Sequence, residues 1–506
     1  MNAPFTERLI ASRWVFLLIA IFYLIGLWNM SIPLTGDQKT YLSIAIEMKE
    51  RGEWIVPYLF GKANFLKPPF EYWMTLFGWK VFGVSLFGAL LPSVIALLGS
   101  AVLVGRLSEN KNVAALLFAS SIGTMTYGTT AQMEIWIVFF WLLSWNDFLR
   151  NHWLRAFVWV GMMAWIKGPL YPALFVFSSM LYLVLEKRVR ELMKLRYWLL
   201  VCMAMVLGLS WYFLAAQTEW AAMRDTFFLR ENLGKIQTSQ GTPWGLWSEF
   251  FYSLLPWGFL VFFARSCGSR KNFWIAYGVI PAVFFTFFPY RVNTYLYILT
   301  PLAAWIAAQS ISRVSEKMAK VIAAILGVLS LAILILLFRL AQGHWIGSEV
   351  ALLLAPCFLI WTFSVLKRNL VWLGLVSLLI VNLVRIGATD IGERDIIGLR
   401  HYASEHSGPI AYYIDQPDIW HEFGLISAAI GSDIQRLDRL EDLKPFVLKG
   451  GSVILQDGQD SAMQGLNCED WYRLKRRLKF PLIRLVKEGL TWGDPSVIRT
   501  FHLCHQ

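Results

Sequence analysis

The sequence predicts an α-helical polytopic membrane protein of about thirteen transmembrane helices. It adds interfacial helices in the first outer loop and a small C-terminal α/β extracytoplasmic domain. Three observations lead there. Of 506 residues, 57% are hydrophobic and only 16% charged, against about 25% charged in an ordinary soluble domain. The apolar residues fall in long uncharged runs, as bilayer spans of about 20 residues require. Aromatic residues are abundant, with 25 Trp and 36 Phe. This composition excludes a disordered chain, a coiled coil and an ordinary soluble enzyme.

Candidate spans lie at 14–31, 84–105, 112–128, 133–149, 153–166, 169–186, 197–216, 250–264, 273–288, 292–309, 319–339, 348–366 and 371–387. Together, 1–387 forms a transmembrane domain with two long outer loops, 32–83 and 217–249. Residues 388–506 contain no spanning run and form the predicted C-terminal domain. Within it, Ile410–Ile414 and Ser452–Leu455 have the pattern of strands, and Glu469–Lys479 that of a helix.

Charge placement sets the orientation. The net charge is +12, which in a soluble protein would suggest a nucleic-acid partner. Here 19 basic residues, among them Arg106, Arg150, Arg270 and the Lys187–Arg196 cluster, fall in alternate turns that start at the N-terminus. Basic loops stay cytoplasmic, so the N-terminus is expected inside and the C-terminal domain outside, with no nucleic-acid partner. Cys468 and Cys504 share the outer segment, in a compartment that permits disulfides. The sequence leaves the paired and free states open, and no cysteine spacing resembles a zinc site.

On the outer side, charged residues are few and clustered at the ends of spans. Asp37 and Lys67 belong to the first loop, Glu134 opens an apolar run, Lys167 sits in a two-residue turn, and Arg291 follows Pro289-Tyr290. Taken singly, each has an ordinary explanation: a helix N-cap, a snorkelling cation or an ion pair. Taken together, cations can grip a phosphate and a carboxylate can orient or deprotonate an attacking hydroxyl.

The first loop carries Asp37, Tyr41, Glu47-Met48, Gly52, Trp54, Pro57, Lys67-Pro68-Pro69 and Tyr72-Trp73. In that order and spacing they resemble the C-superfamily glycosyltransferases, in particular the protein mannosyltransferase and lipid A aminoarabinose transferase families. Glu134, Lys167-Gly168-Pro169, Glu231-Asn232, Gly241, Trp244, Arg291 and Thr294-Tyr295 continue the pattern downstream. The chain departs from it at Gln38, Thr40, Leu66 and Lys235. Gln38 takes the place of a second acid, so no metal site is expected in this loop. No cofactor is expected either, and dependence on a divalent metal stays open.

The resemblance implies a bacterial inner-membrane enzyme. It would move a sugar from a polyprenyl (undecaprenyl) phosphate donor to a lipid A-like or other envelope glycolipid acceptor on the outer face, by an inverting single displacement. Asp37 and Glu134 would be catalytic, and Lys67, Lys167 and Arg291 would bind the donor phosphate. Tyr41, Tyr72, Asn232 and Tyr295 would contact substrate. A protein O-mannosyltransferase-type enzyme and a lipid or solute transporter, such as a flippase, are the alternatives.

Overall fold

The computed structural model describes residues 14–28, 36–59, 61–263, 270–310, 315–342, 348–367, 369–389, 408–413, 434–437, 439–456, 459–475 and 498–505. Helix α1 (Trp14–Trp28) is followed in the first loop by α2 (Gly36–Arg51), a short hairpin of β1 (Tyr58–Leu59) and β2 (Lys62–Ala63), and α3 (Phe70–Phe82). The bundle continues with α4 (Leu86–Leu107), α5 (Lys111–Ala119), α6 (Ile122–Gly128), α7 (Met133–Leu149), α8 (Trp153–Lys167), α9 (Leu170–Leu185) and α10 (Leu195–Met223). A π-helical segment (Arg224–Leu233) and α11 (Gly234–Gln237) extend α10. They precede α12 (Pro243–Ser253), α13 (Lys271–Phe287), α14 (Thr300–Ser310), α15 (Glu316–Gln342), α16 (Ser348–Leu366) and α17 (Leu370–Thr389).

Helix starts follow local chemistry. The Ser85 hydroxyl accepts from the Gly88 N–H (3.0 Å), Ser121 from Thr124 (3.2 Å) and Thr242 from Gly245 (2.9 Å). Each satisfies one of the orphan amides of a first turn. Among the described residues, four stretches are long and apolar enough to cross a membrane: Leu86–Leu107, Leu195–Gln237, Glu316–Arg339 and Ser348–Leu366. Side chains such as Val206, Phe213, Val328 and Leu352 stand exposed on them. Such apolar surface suits contact with hydrocarbon, not water.

Two expected spans are interrupted. Residues 112–128 divide into α5 and α6 at Ser120–Ser121, and 250–264 divide into α12 and a 3-10 helix (Gly258–Phe263). At the second break Pro256 has no N–H to give to a helical carbonyl, and its ring clashes with the preceding turn. Helix α3 also differs from a helix resting on the interface. Its Phe70, Glu71, Tyr72, Thr75, Leu76, Gly78 and Trp79 are buried. A Cβ on Gly78 would meet the Gly88 carbonyl oxygen at 1.9 Å. Two glycines therefore let the backbones of α3 and α4 touch, as small residues do at membrane helix crossings.

Strands β3 (Ile410–Tyr413), β4 (Gln435–Leu437), β5 (Ser452–Gln456), β6 (Asn467–Lys475) and β7 (Ile498–His505) form one sheet, in the order β4-β3-β5-β7-β6. The β4-β3-β5 part is parallel and the β5-β7-β6 part antiparallel. Tyr412, Ile454, Phe501 and Leu503 join the main core, whereas Tyr413, Val453, Leu455 and Cys504 pack with Leu443 and Val447 of helix α18 (Leu440–Leu448) on the other face. The alternation is that of a sheet covered on both sides. One sequence expectation fails here: the helix foreseen from Glu469 is strand β6 through Lys475. It pairs along β7, and the Cys468–Cys504 disulfide joins the two strands. Residues 476–479 of that expectation lie outside the described residues.

The α3–α4 contact supplies a test. Gly78→Ala places a methyl group against backbone and should destabilise by about 1–3 kcal/mol, visible as a lower melting temperature in detergent. Gly327→Ala, where the nearest atom is 3.9 Å from the new Cβ, should melt close to the parent. Equal melting of the two variants would contradict the close-approach account.

Candidate active site

The first loop is held in shape by the motif residues the sequence singled out, and most of them act on backbone. Gly52 takes φ +66°, the left-handed conformation that ends α2. The Trp73 indole N–H donates to the Trp54 carbonyl (2.6 Å) and the Trp211 indole N–H to that of Ile55 (2.7 Å). Asn64 N–H donates to the Pro57 carbonyl (2.7 Å), and Gly61 N–H donates to the Glu47 carboxylate (2.7 Å). Phe65 is fully buried against Trp211. These contacts present Lys67 at a fixed place, immediately before the Pro-Pro that opens α3.

Two ion-pair systems meet there. Lys167, the last residue of α8, donates to Glu134 in the first turn of α7 at 2.6 Å; both side chains are only 11–13% exposed. The same ammonium lies 5.8 Å from the centre of the Tyr295 ring. Lys67 donates to Glu231 at 2.9 Å, and Lys235 donates to the same carboxylate oxygen. Glu231 reaches this point because α10 kinks at Glu219, where the backbone leaves helical geometry. Burial and the neighbouring Lys67 and Lys167 charges hold the Lys235 ammonium below its ordinary value, against the pull of Glu231. Three ammonium groups therefore share one electrostatic neighbourhood, of which the sequence nominated Lys67 and Lys167.

The acids lie on the α2–α3 side. Asp37 is exposed in the first turn of α2, where the helix dipole favours a carboxylate. One turn later Tyr41 packs edge-on against buried Tyr72, with ring centres 5.8 Å apart. Burial, then the charges of Asp37, Tyr72, Glu134 and Glu71, raise the Tyr41 phenol well above its ordinary value. Tyr41 thus stands among three carboxyl groups. One of them, Glu71, was not anticipated. It is 1% exposed on α3, beside Trp136 of α7, and burial together with Glu134 pushes its carboxyl up to about 8. It carried no sequence signal because an acid in an amphipathic loop helix looks like a solvent-facing residue.

Arg291 is held by backbone carbonyls. Its Nε donates to the Thr286 carbonyl (3.0 Å), and its Nη1 to those of Gly241 (3.2 Å) and Pro289 (3.4 Å). The guanidinium clamps the turn after α13 to the end of the 217–249 loop. Gly241, at φ +72°, has room for this approach because a Cβ would meet the Arg291 carbonyl oxygen at 2.8 Å. Asn232 belongs to the π-helical segment, and its side chain lies outside the described residues. Among the described residues, no group of three His, Cys, Asp or Glu side chains is arranged to hold a metal ion.

No protein-family model matches the chain. It is 28% identical over 320 residues to the undecaprenyl phosphate-alpha-4-amino-4-deoxy-L-arabinose arabinosyl transferase of Pseudomonas savastanoi pv. phaseolicola (strain 1448A / Race 6), covering 58% of each chain. It is 25% identical over 378 residues to the enzyme of that name from Serratia proteamaculans (strain 568), covering 66% of each. The matched stretch is thus under two thirds of the length of these transferases. In three dimensions the chain superimposes on the crystal structure of ArnT from Cupriavidus metallidurans bound to undecaprenyl phosphate. The TM-score is 0.68 at 15% identity, over 97% of this chain and 98% of that one. The chain has the ArnT fold. The sequence similarity is thus to proteins named as aminoarabinose transferases, and the likeness in fold covers nearly the whole chain.

Glu71 gives this site a pH signature. In the folded protein its proton is held up to about 8, against an ordinary value of 4.5. The folded state binds more protons than the unfolded state between those values, so the Glu71 contribution to stability falls as pH rises through that window. Glu71→Gln keeps the shape and removes the titration. Its melting temperature should exceed that of the parent at pH 8 and vary less from pH 5 to pH 8. An unchanged slope would show that Glu71 does not titrate in this range.

Proposed function

We propose that this protein is an integral-membrane glycosyltransferase that takes a sugar from a polyprenyl phosphate and gives it to a lipid A-like or other envelope glycolipid. The observation that carries this reading is the pair of lysines, Lys67 and Lys235, closed on one anionic oxygen beside the Glu134–Lys167 pair. A donor phosphate and the Glu231 carboxylate compete for the same ammonium groups, so the protein already carries a stand-in for the charge it would bind. Support also comes from the similarity to transferases named for an undecaprenyl phosphate donor.

In this reading the acceptor attacks the anomeric carbon from the face opposite the phosphate. One C–O bond forms as the bond to the phosphate oxygen breaks, and the configuration inverts. The leaving phosphate already bears charge, so its departure calls for cationic stabilisation more than protonation. Lys67, Lys235 and Lys167 supply it, each on the order of one oxyanion-hole donor, about 3 kcal/mol. Asp37 accepts the proton of an attacking hydroxyl, or positions an acceptor that is itself ionised. Glu134 holds Lys167 in place. Tyr41, Tyr72 and Tyr295 form aromatic walls for the sugar, and Arg291 shapes the loop behind them. The reading includes about thirteen spans, a cytoplasmic N-terminus, chemistry on the outer leaflet of the bacterial inner membrane, and a periplasmic C-terminal domain over residues 388–506.

The test is transfer by the purified protein from a synthetic undecaprenyl-phosphate sugar to a lipid acceptor, followed by mass spectrometry of the lipids. Asp37→Asn should lower the rate roughly 100-fold or more while leaving expression and melting unchanged. Lys67→Ala should raise the donor concentration needed for half-maximal rate. Full activity in Asp37→Asn, or movement of the lipid across a vesicle membrane without any glycosylated product, would overturn the assignment.

A further inference from the structure

At the end of the bundle remote from Glu134 and Lys167 lies a cavity of about 320 Å³. It is bordered by Arg106 at the end of α4, Asn146 and Arg150 at the end of α7, Tyr182 and Glu186 at the end of α9, and Arg270 before α13. The distance from the candidate active site follows from helix geometry. Sixteen residues separate Glu134 from Arg150 along α7, roughly 24 Å at about 1.5 Å per residue. Helix α9 repeats the relation, with Lys167 just before its start and Glu186 just after its end. That separation is close to the roughly 30 Å hydrocarbon core of a bilayer, which would set the two sites at opposite headgroup layers.

Basic residues on one face of a membrane protein are expected from topology alone, and arginines suit helix C-termini. The arrangement here goes further, because three arginines from three helix ends line one concavity with a single acidic residue, Glu186. Arg270 is anchored, its Nη1 donating to the Leu107 carbonyl at 2.8 Å. Glu186 is engaged by the Asn272 side-chain amide at 2.9 Å. Among the described residues, Arg106 and Arg150 have no carboxylate partner. The concavity thus carries two uncommitted guanidinium groups, whose planar forks match phosphate oxygens.

We propose that this arginine-lined cavity binds the phosphate headgroup of an anionic phospholipid, on the membrane face opposite the candidate active site. Basic pockets between transmembrane helices are suited to such headgroups. The shared chemistry is a phosphate; the membrane is favoured as its source because the cavity lies among the ends of apolar helices.

The test uses the full-length protein in detergent and native mass spectrometry with added phosphatidylglycerol, phosphatidylethanolamine or inorganic phosphate. Phosphatidylglycerol should bind at least about tenfold tighter than phosphatidylethanolamine, and Arg106→Gln/Arg150→Gln should remove that preference. Equal binding of both lipids, or an unchanged preference in a folded double variant, would overturn the proposal. Displacement of the lipid by millimolar inorganic phosphate would assign the cavity to a free anion instead. Should the double variant not fold, a phosphatidylglycerol bearing a photoreactive group near its phosphate is applied to the unaltered protein. Cross-links should fall on peptides containing 146–150 and 182–186, and cross-links confined elsewhere would overturn it.

Discussion

The Glu134–Lys167 ion pair is the constraint around which the site is arranged. Each charge sits at the end of an apolar helix, nearly out of contact with water, and neither could remain there ionised alone. Pairing them fixes the start of α7 against the end of α8. Because α7 also packs on α4, the pair sets where the first-loop helix α3 docks. On that docked face, burial and then the charge of Glu134 push the Glu71 carboxyl up to about 8. Tyr41 and Tyr295 are likewise placed by reference to the pair, one beside Glu134 and the other beneath the Lys167 ammonium.

A second ion-pair system gives the site its sign. Lys67 comes from the rigid first loop and Lys235 from the kinked extension of α10, and both converge on Glu231. The loop residues Gly52, Trp54, Pro57 and Trp73 set its backbone path and take no part in the chemistry proposed. This division explains why so long a motif surrounds so few charged groups. The indole-to-carbonyl hydrogen bonds give the loop that carries Lys67 a stiff support.

Much of this was legible in the sequence, for physical reasons that differ from residue to residue. Apolar runs of bilayer length identify most helices directly, because the bilayer demands them. The runs at 112–128 and 250–264 mislead, since hydropathy counts side chains and is blind to the break at Ser120–Ser121 and to the N–H missing from Pro256. Lys67 and Lys167 stood out as cations on the sparsely charged side. The Lys67–Glu231 partnership joins residues 164 positions apart and depends on a kink that no local pattern announces. Arg291 has the residue type of a phosphate ligand, and no local pattern announces that its Nε and Nη1 also donate to backbone carbonyls. Strand β6 has the local composition of a helix, and its pairing with β7 decides otherwise.

The account rests on the lysine cluster being the place where a lipid phosphate binds. The most direct measurement is a structure of this protein with a bound polyprenyl phosphate. The phosphate should lie within hydrogen-bond distance of the Lys67 and Lys235 ammonium groups, with Glu231 moved away and the Glu134–Lys167 pair intact. A lipid phosphate seated elsewhere, with Glu231 still joined to both lysines, would contradict it.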